Sequence, residues 1–239
     1  MSLFRSATMF DAEGRPALFS NSGHFQQFLL NPYLELGLTP RNTIVVNAYI
    51  PWLNFTNSYG QQTSAGFGDV ELGWRRRLNS VESPWAFSGQ FTVLFPTYPA
   101  DREPAPGNHQ VDLEGRALLG RGLRVAHRHA FYNLELAYRY RNGAPADQVR
   151  GVATVGWNTT HWLMLLGEFD AMKGLRNGTP ASPISNPNAQ SDFDLYKYQP
   201  SAVFALGHGA RLQIGMNSVF SGRNTGCGHT SLLSLWKSF

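Results

Sequence analysis

Polar and apolar side chains alternate with a period of two along most of this chain, and the stretch from Gly66 to Phe95 shows it most sharply. Its first arm puts Asp69, Glu71, Arg75 and Arg77 on one parity and Val70, Leu72, Trp74 and Leu78 on the other. After a polar turn over Asn79 to Ser83, Ala86, Ser88, Gln90 and Thr92 share one face, and Trp85, Phe87, Phe91, Val93 and Phe95 the opposite one. Successive side chains of a pleated strand point to opposite faces, so the pattern predicts a β-hairpin. Alone, such a hairpin also fits a soluble sheet with its aromatic face in a core and its charged face in water.

The same period recurs along the chain. Residues 2 to 10 alternate weakly and predict one short strand; Asp11 to Gly23, rich in Gly, Pro, Ser and Asn, predicts a loop. A strand runs from Phe28 to Leu38, turns at Thr39 to Asn42 and returns from Thr43 to Trp52, before a polar loop over Asn54 to Ala65. Beyond Pro96 to Asn108, a second loop, Val111 to Leu119 alternates, with a short connection around Gly120 to Arg124. Strands then follow at Tyr132 to Arg141, Gln148 to Trp157, His161 to Ala171, Tyr196 to Leu206, Ala210 to Phe220 and near Leu233 to Phe239. Lys173 to Asp192 and Ser221 to Gly226 read as loops.

Three regularities choose between architectures. Tight connections near Pro40, Ser80, Gly122, Thr159 and His208 alternate with longer ones at 54–65, 96–108, 141–147, 172–192 and 221–229, as in barrels with short turns at one membrane face and long loops at the other. An even strand count then uses the weak segment 2–10 and gives about twelve. Aromatics gather near strand ends, at Trp52, Trp74, Trp85, Tyr138, Tyr140, Trp157, Tyr198 and Phe239, where interfacial belts lie. The pattern therefore predicts an all-β protein: one closed antiparallel up-and-down transmembrane β-barrel of about 12 strands, occupying residues 1–239 as a single domain. This inverts the hairpin, so that Val70, Leu72, Trp74, Phe87, Phe91 and Val93 face lipid.

Composition is consistent with this and excludes other classes. The 239 residues include 24 Gly and are 13% aromatic but only 15% charged, which suits many tight turns and an apolar outer wall. No apolar run approaches the roughly 18 residues that a membrane helix needs. The net charge of +4 is scattered among acids, without a basic stripe, so no nucleic-acid partner is expected. Cys227 is the single cysteine and rules out an internal disulfide. The opening MSLFRSATMF lacks the charged and apolar regions of a secretory leader, so the export reading expects a processed chain.

The segments PYLELGLTPRNTIVVNAYI and GFGDVELGWRRRL, with the ending SGRNTG…SLLSLWKSF, resemble bacterial outer-membrane barrels. The nearest resemblance is to the phenol-degradation meta-pathway outer-membrane proteins and the XagA-like proteins of exopolysaccharide loci, over most of residues 25 to 239. It implies a barrel in a bacterial outer membrane, a channel function with no established substrate, and Phe239 as the signal read by the barrel-assembly machinery. Lys237 departs from the apolar or aromatic residue usual at its position in that signal.

The inward parity collects the candidate pore-lining residues Glu35, Asp69, Glu71, Glu114, Glu135 and Glu168 with Arg75, Arg77, Arg116, Arg139, Arg150 and Arg211. Rings of charge can select solutes by sign, which implies a small polar or anionic solute or a polysaccharide as cargo, with outer-membrane lipid around the wall. The alternative is that opposite charges pair and fill a narrow lumen, leaving a structural or docking barrel whose loops bind a partner. A soluble β ligand-binding protein is the third possibility. No catalytic residues are expected: the outward parity shows no neighbouring Ser/His pair except His229 and Ser231, two residues apart on one strand. No metal spacing and no cofactor motif occur, and His127 and His129 read as rim residues.

Overall fold

The computed structural model describes residues 1–143, 145–178 and 191–239. Among the described residues sixteen strands form one antiparallel sheet. They are β1 (Ser2–Phe10), β2 (Pro16–Leu18), β3 (His24–Leu30), β4 (Tyr33–Thr39), β5 (Asn42–Ala48), β6 (Ile50–Asn57), β7 (Gly60–Ala65) and β8 (Asp69–Arg77). There follow β9 (Trp85–Pro96), β10 (Asp112–Val125), β11 (Arg128–Arg141), β12 (Gln148–Asn158), β13 (Leu163–Gly174), β14 (Asp194–Gly207), β15 (Ala210–Arg223) and β16 (Thr225–Lys237). From β8 to β16 each strand pairs with its successor in sequence, the up-and-down order that short connections favour. At the other end of the chain β1 pairs with both β16 and β3. No helix among the described residues is long and apolar enough to cross a membrane, which says nothing of crossing by strands.

Sixteen strands replace the expected twelve, and the reason is local. The run from His24 to Thr39 is cut at Asn31-Pro32, because proline has no N–H to give a ladder. The Asn31 amide takes over there, donating to Ala48 O and to Asn47 Oδ1, both at 2.7 Å. The returning run is cut at Tyr49, before Pro51, where Gly68 N–H donates to Tyr49 O at 2.8 Å. The next run is cut between Ala65 and Asp69, where Gly66 has φ +123°, a value glycine adopts without strain. The short β2, which pairs with β1, supplies the sixteenth strand.

Several expected connections are also corrected. Asn54 to Ala65 is no loop but the hairpin of β6 and β7, turning at Ser58 and Tyr59. Gly120 to Arg124 lies inside β10, and the turn falls at Ala126 and His127, both with positive φ. Ser221 to Gly226 shrinks to Asn224, and Asp11 to Gly23 contains β2 and a single 3-10 turn at Ser20–Ser22. Each of these polar stretches has too few apolar residues for alternation to reveal the ladder that its neighbours impose. Of the loop expected over 173–192, residues 179–190 lie outside the described residues, while 173 and 174 end β13.

The two faces of the sheet differ in accessibility as sharply as in chemistry. On β11, Leu134, Leu136, Tyr138 and Tyr140 are exposed, while Ala137 and Arg141, on the opposite parity, are buried. On β10 the side chains of Asp112 and Glu114 are buried and Leu113 is exposed. Two apolar clusters are buried as well. Phe4, Phe19, Phe25 and Leu53 pack together with Met9 and Phe55, and Met164, Leu166 and Val203 pack with Phe131.

Candidate functional site

The buried face of β8 and β10 to β12 brings six charged side chains into one network, because antiparallel registry places their strand positions side by side. Glu114 faces Arg139 across β10 and β11, and Ala137, two residues along β11, faces Arg116 on one side and Arg150 on the other. Glu114, 1% exposed, is the centre. Its Oε1 accepts from Arg116 Nε at 3.0 Å, and its Oε2 from Arg139 Nε at 2.9 Å and Arg150 Nη1 at 3.3 Å. Arg116 also pairs with Glu135, and Arg139 Nη2 donates to Glu71 Oε1 at 3.3 Å. Glu71 accepts further from the Asn47 amide at 3.1 Å and the Tyr49 hydroxyl at 3.3 Å.

Three carboxylates and three guanidiniums thus balance in charge, and the central carboxylate has both oxygens occupied. A buried charge is tolerable only with this degree of pairing. The network is not fully satisfied: Arg150 Nε has no hydrogen-bond partner. Toward the loops, Arg141 Nε lies 3.4 Å from Asp112 Oδ2, near enough for an ion pair but without a hydrogen aimed at the oxygen.

The remaining expected residues lie apart from this network. Glu35 pairs with Arg75 at 2.9 Å, with Tyr33 and Gln90 as further partners of the guanidinium. Arg77 donates to Ser83 O and Trp85 O and so fastens the β8–β9 turn. Asp69 meets the segment between β9 and β10, accepting from Asn108 N–H at 3.4 Å, and a Cβ on Gly107 would sit 2.4 Å from its Oδ2. Glu168 and Arg211 enter none of the ion pairs among the described residues, and Arg211 is exposed. On the other parity Leu72, Trp74, Phe87 and Phe91 are exposed, whereas Val70 and Val93 are half-buried.

Reading by charge alone missed the neutral partners Asn47, Tyr49 and Gln90, although each lies on the polar parity of its strand. It also missed the ring cluster around Phe25, because β1 was legible only as a weak strand. Between β9 and β10, the segment from 97 to 111 is tied down by Tyr98, whose hydroxyl accepts from His109 N–H at 2.7 Å. Burial, and then the nearby Asp69 charge, raise the Tyr98 phenol well above its ordinary value. Asp147, between β11 and β12, accepts from Arg141 N–H at 2.8 Å, Tyr138 hydroxyl at 2.7 Å and the Asn177 amide at 2.9 Å. Burial pushes its carboxyl upward, but these donors outweigh burial and hold it below the usual aspartate value.

One outward Ser/His contact overturns the expectation that none exists apart from His229 and Ser231. Ser218 Oγ lies 2.7 Å from His229 Nδ1 across β15 and β16. The two are eleven residues apart, so spacing within one strand could not show it. Among the described residues neither is hydrogen-bonded to a carboxylate, and no three His, Cys, Asp or Glu side chains group as a metal site.

No protein-family model matches the chain, and no curated protein matches its sequence. Among solved structures it is similar to the crystal structure of an outer membrane channel from Pseudomonas putida F1, with a TM-score of 0.65 at 13% sequence identity. The likeness covers 98% of this chain and 92% of that one, so the all-β architecture is shared from end to end.

Proposed function

We propose that this chain is a channel of a bacterial outer membrane, with the Glu114 network lining its lumen. One observation carries the reading: the exposed face is apolar and the buried face is ionised, the reverse of a soluble sheet protein. The neighbour of similar fold is named an outer membrane channel, which favours the same role here. Closure of the sheet belongs to this proposal. β3 runs into β4, β5 into β6 and β7 into β8, which makes the pairing order circular, with β1 between β16 and β3. Such a ring leaves Leu72, Trp74, Phe87 and Phe91 against hydrocarbon, with Val70 and Val93 between them. It turns Asp69, Glu71, Arg75, Glu114, Arg116, Glu135, Arg139 and Arg150 toward the pore.

The cargo in this reading is a small polar or anionic solute, or a polysaccharide, passing guanidiniums and carboxylates of the wall. Phe239, fully exposed at the chain end, would be read by the barrel-assembly machinery. Kinship with the phenol-degradation or XagA-like families is the finer part of the same proposal. The saturated pairing of Glu114 favours a second reading, a barrel plugged by its own ion pairs that serves as a docking platform. Conductance in planar bilayers separates the two. Discrete current steps whose ion selectivity changes in Glu114→Gln support the channel; silence across salt and pH, from protein folded in detergent, supports the plug.

A further inference from the structure

The outward wall is apolar around most of the sheet, but over β1, β3, β6 and β7 it changes character along each strand. On β3, exposed Leu30 and Phe28 give way to Gln26 and His24; on β6, exposed Trp52 gives way to Asn54 and Thr56. The change occurs at one level, because Phe28 faces Trp52 and Gln26 faces Asn54, while on β7 Ala65 faces Trp52 and Thr63 faces Asn54. The Phe28 and Trp52 rings lie 5.4 Å apart at this border, where an aromatic pair marks the edge of a hydrocarbon layer.

Arg5 continues the polar row. It lies opposite Gln26 on one side and His229 on the other, and it is exposed, while the neighbouring Phe4 is buried inside. No acid pairs with Arg5 among the described residues, and the acids nearest in sequence on the loop side, Asp11 and Glu13, are both paired with Arg15. Two hollows meet along the row. One, of about 380 Å³, lies against Phe28, Trp52 and Ala65; the other, of about 370 Å³, lies against Arg5, His24 and Thr56; Gln26 and Asn54 border both.

We propose that the joined hollows bind one lipid of the surrounding leaflet through a phosphate on its head group. The apolar part of the lipid lies on Phe28 and Trp52, and Arg5 takes the phosphate, with the Gln26 and Asn54 amides beside it. A guanidinium suits this ligand because its planar fork matches two phosphate oxygens, and an unpaired cation beside neutral amide donors selects an anion. The proposal rests on the membrane reading given above, since only a wall in contact with lipid meets this ligand.

Native mass spectrometry of the full chain in detergent provides the test, with lipid A bearing its phosphates, the same lipid with its phosphates removed, and inorganic phosphate. The wild type should retain the phosphorylated lipid about tenfold better than Arg5→Gln does, the scale of a lost charge-assisted contact. Arg5→Lys should keep most of the binding, and Arg124→Gln, beside the β10–β11 turn and outside both hollows, all of it. Equal retention by wild type and Arg5→Gln, or equal retention of the lipid without phosphates, would overturn the proposal. So would displacement of the lipid by an equal concentration of inorganic phosphate, because free phosphate would then be the ligand. Electrophoretic mobility of the same samples before and after boiling separates the two layers of the argument. A boiling-sensitive folded form without phosphate preference defeats the lipid site alone, whereas a chain that stays folded and monodisperse without detergent defeats the membrane reading.

Discussion

Strands β8 and β10 to β12 turn carboxylates and guanidiniums inward, whereas β1, β3 and β6 turn rings inward. Both walls belong to one sheet, and both hold a side chain that is 1% exposed, Glu114 on the first and Phe25 on the second. Glu114 is held by directed contacts that each need a partner of opposite charge. Phe25 is held by non-directional packing against Phe4, whose ring centroid is 6.1 Å away, and against Phe19 and Leu53. The comparison teaches that the inner face is specified by strand parity and not by polarity. It also separates two kinds of sensitivity: the charged wall should fail when one partner is deleted, and the ring wall when volume is deleted.

The largest expected effect therefore comes from Glu114→Ala. It leaves Arg116, Arg139 and Arg150 without their common carboxylate, and breaking a buried pair from one side costs about 3–5 kcal/mol. Urea unfolding in detergent should show this loss as a lowered midpoint with an unchanged slope. Any residual current should shift toward anions. A midpoint equal to that of the wild type would mean that the six-residue network carries no stability.

Phe25→Ala is the matched change on the other wall. Its cost should be about 3 kcal/mol, from lost transfer energy and from the cavity left among Phe4, Phe19 and Leu53. Ion selectivity should not move, since no charge is altered. A change of selectivity in Phe25→Ala would erase the distinction between the walls and place the rings in the conducting path.

The difference between the walls also decided how much could be read from sequence. Along Asp69 to Arg77 and Asp112 to Arg116 one parity is ionised and the other apolar, so the phase is unambiguous, and pattern alone groups Glu71, Glu114 and Arg116 on the polar parity of their strands. Along β3 and β6 both parities carry large apolar groups: Phe25, Leu53 and Phe55 point inward, and Phe28, Leu30 and Trp52 outward. With so little contrast between the faces the phase is weak there, and beyond Asn54 too few apolar residues remain for alternation to show, so residues 54–65 read as a loop. Partner choice was equally hidden. That Glu114 gathers three arginines, and that Ser218 meets His229, follows from registers between strands, which spacing within a strand does not encode.

Both walls share one outer face, and Leu136→Arg tests it. Leu136 is 61% exposed near the middle of β11. A guanidinium at the centre of a bilayer should cost about 2 kcal/mol or more in a transmembrane barrel, measured by reversible folding into vesicles. In a soluble protein the same exposed site would accept arginine within about 0.5 kcal/mol. The smaller result would sharpen the contrast of the walls into that of a water-soluble sheet and remove lipid from the account.

The smallest effect is expected beyond both walls, at Asp147, where a carboxylate works neither in a network nor in a core. Its carboxyl is held below the ordinary aspartate value, because the Arg141 N–H, Tyr138 hydroxyl and Asn177 amide together outweigh burial, which acts upward. A depressed pKa means that the ionised form stabilises the fold, so the contribution is complete above the unfolded value and is lost as pH falls through the folded one. Between pH 7 and 5 nothing should change. As pH falls below the ordinary aspartate range the carboxyl gains its proton, and hydrogen exchange at the Arg141 amide should then accelerate beyond its intrinsic pH dependence. Asp147→Asn should abolish that extra step while leaving the Glu114 network intact, since Arg139 donates to Glu114 and Glu71, Arg150 donates to Glu114, and neither donates to Asp147. Acceleration already between pH 7 and 5 would show that the donors do not control this carboxyl, and that burial, acting upward, prevails.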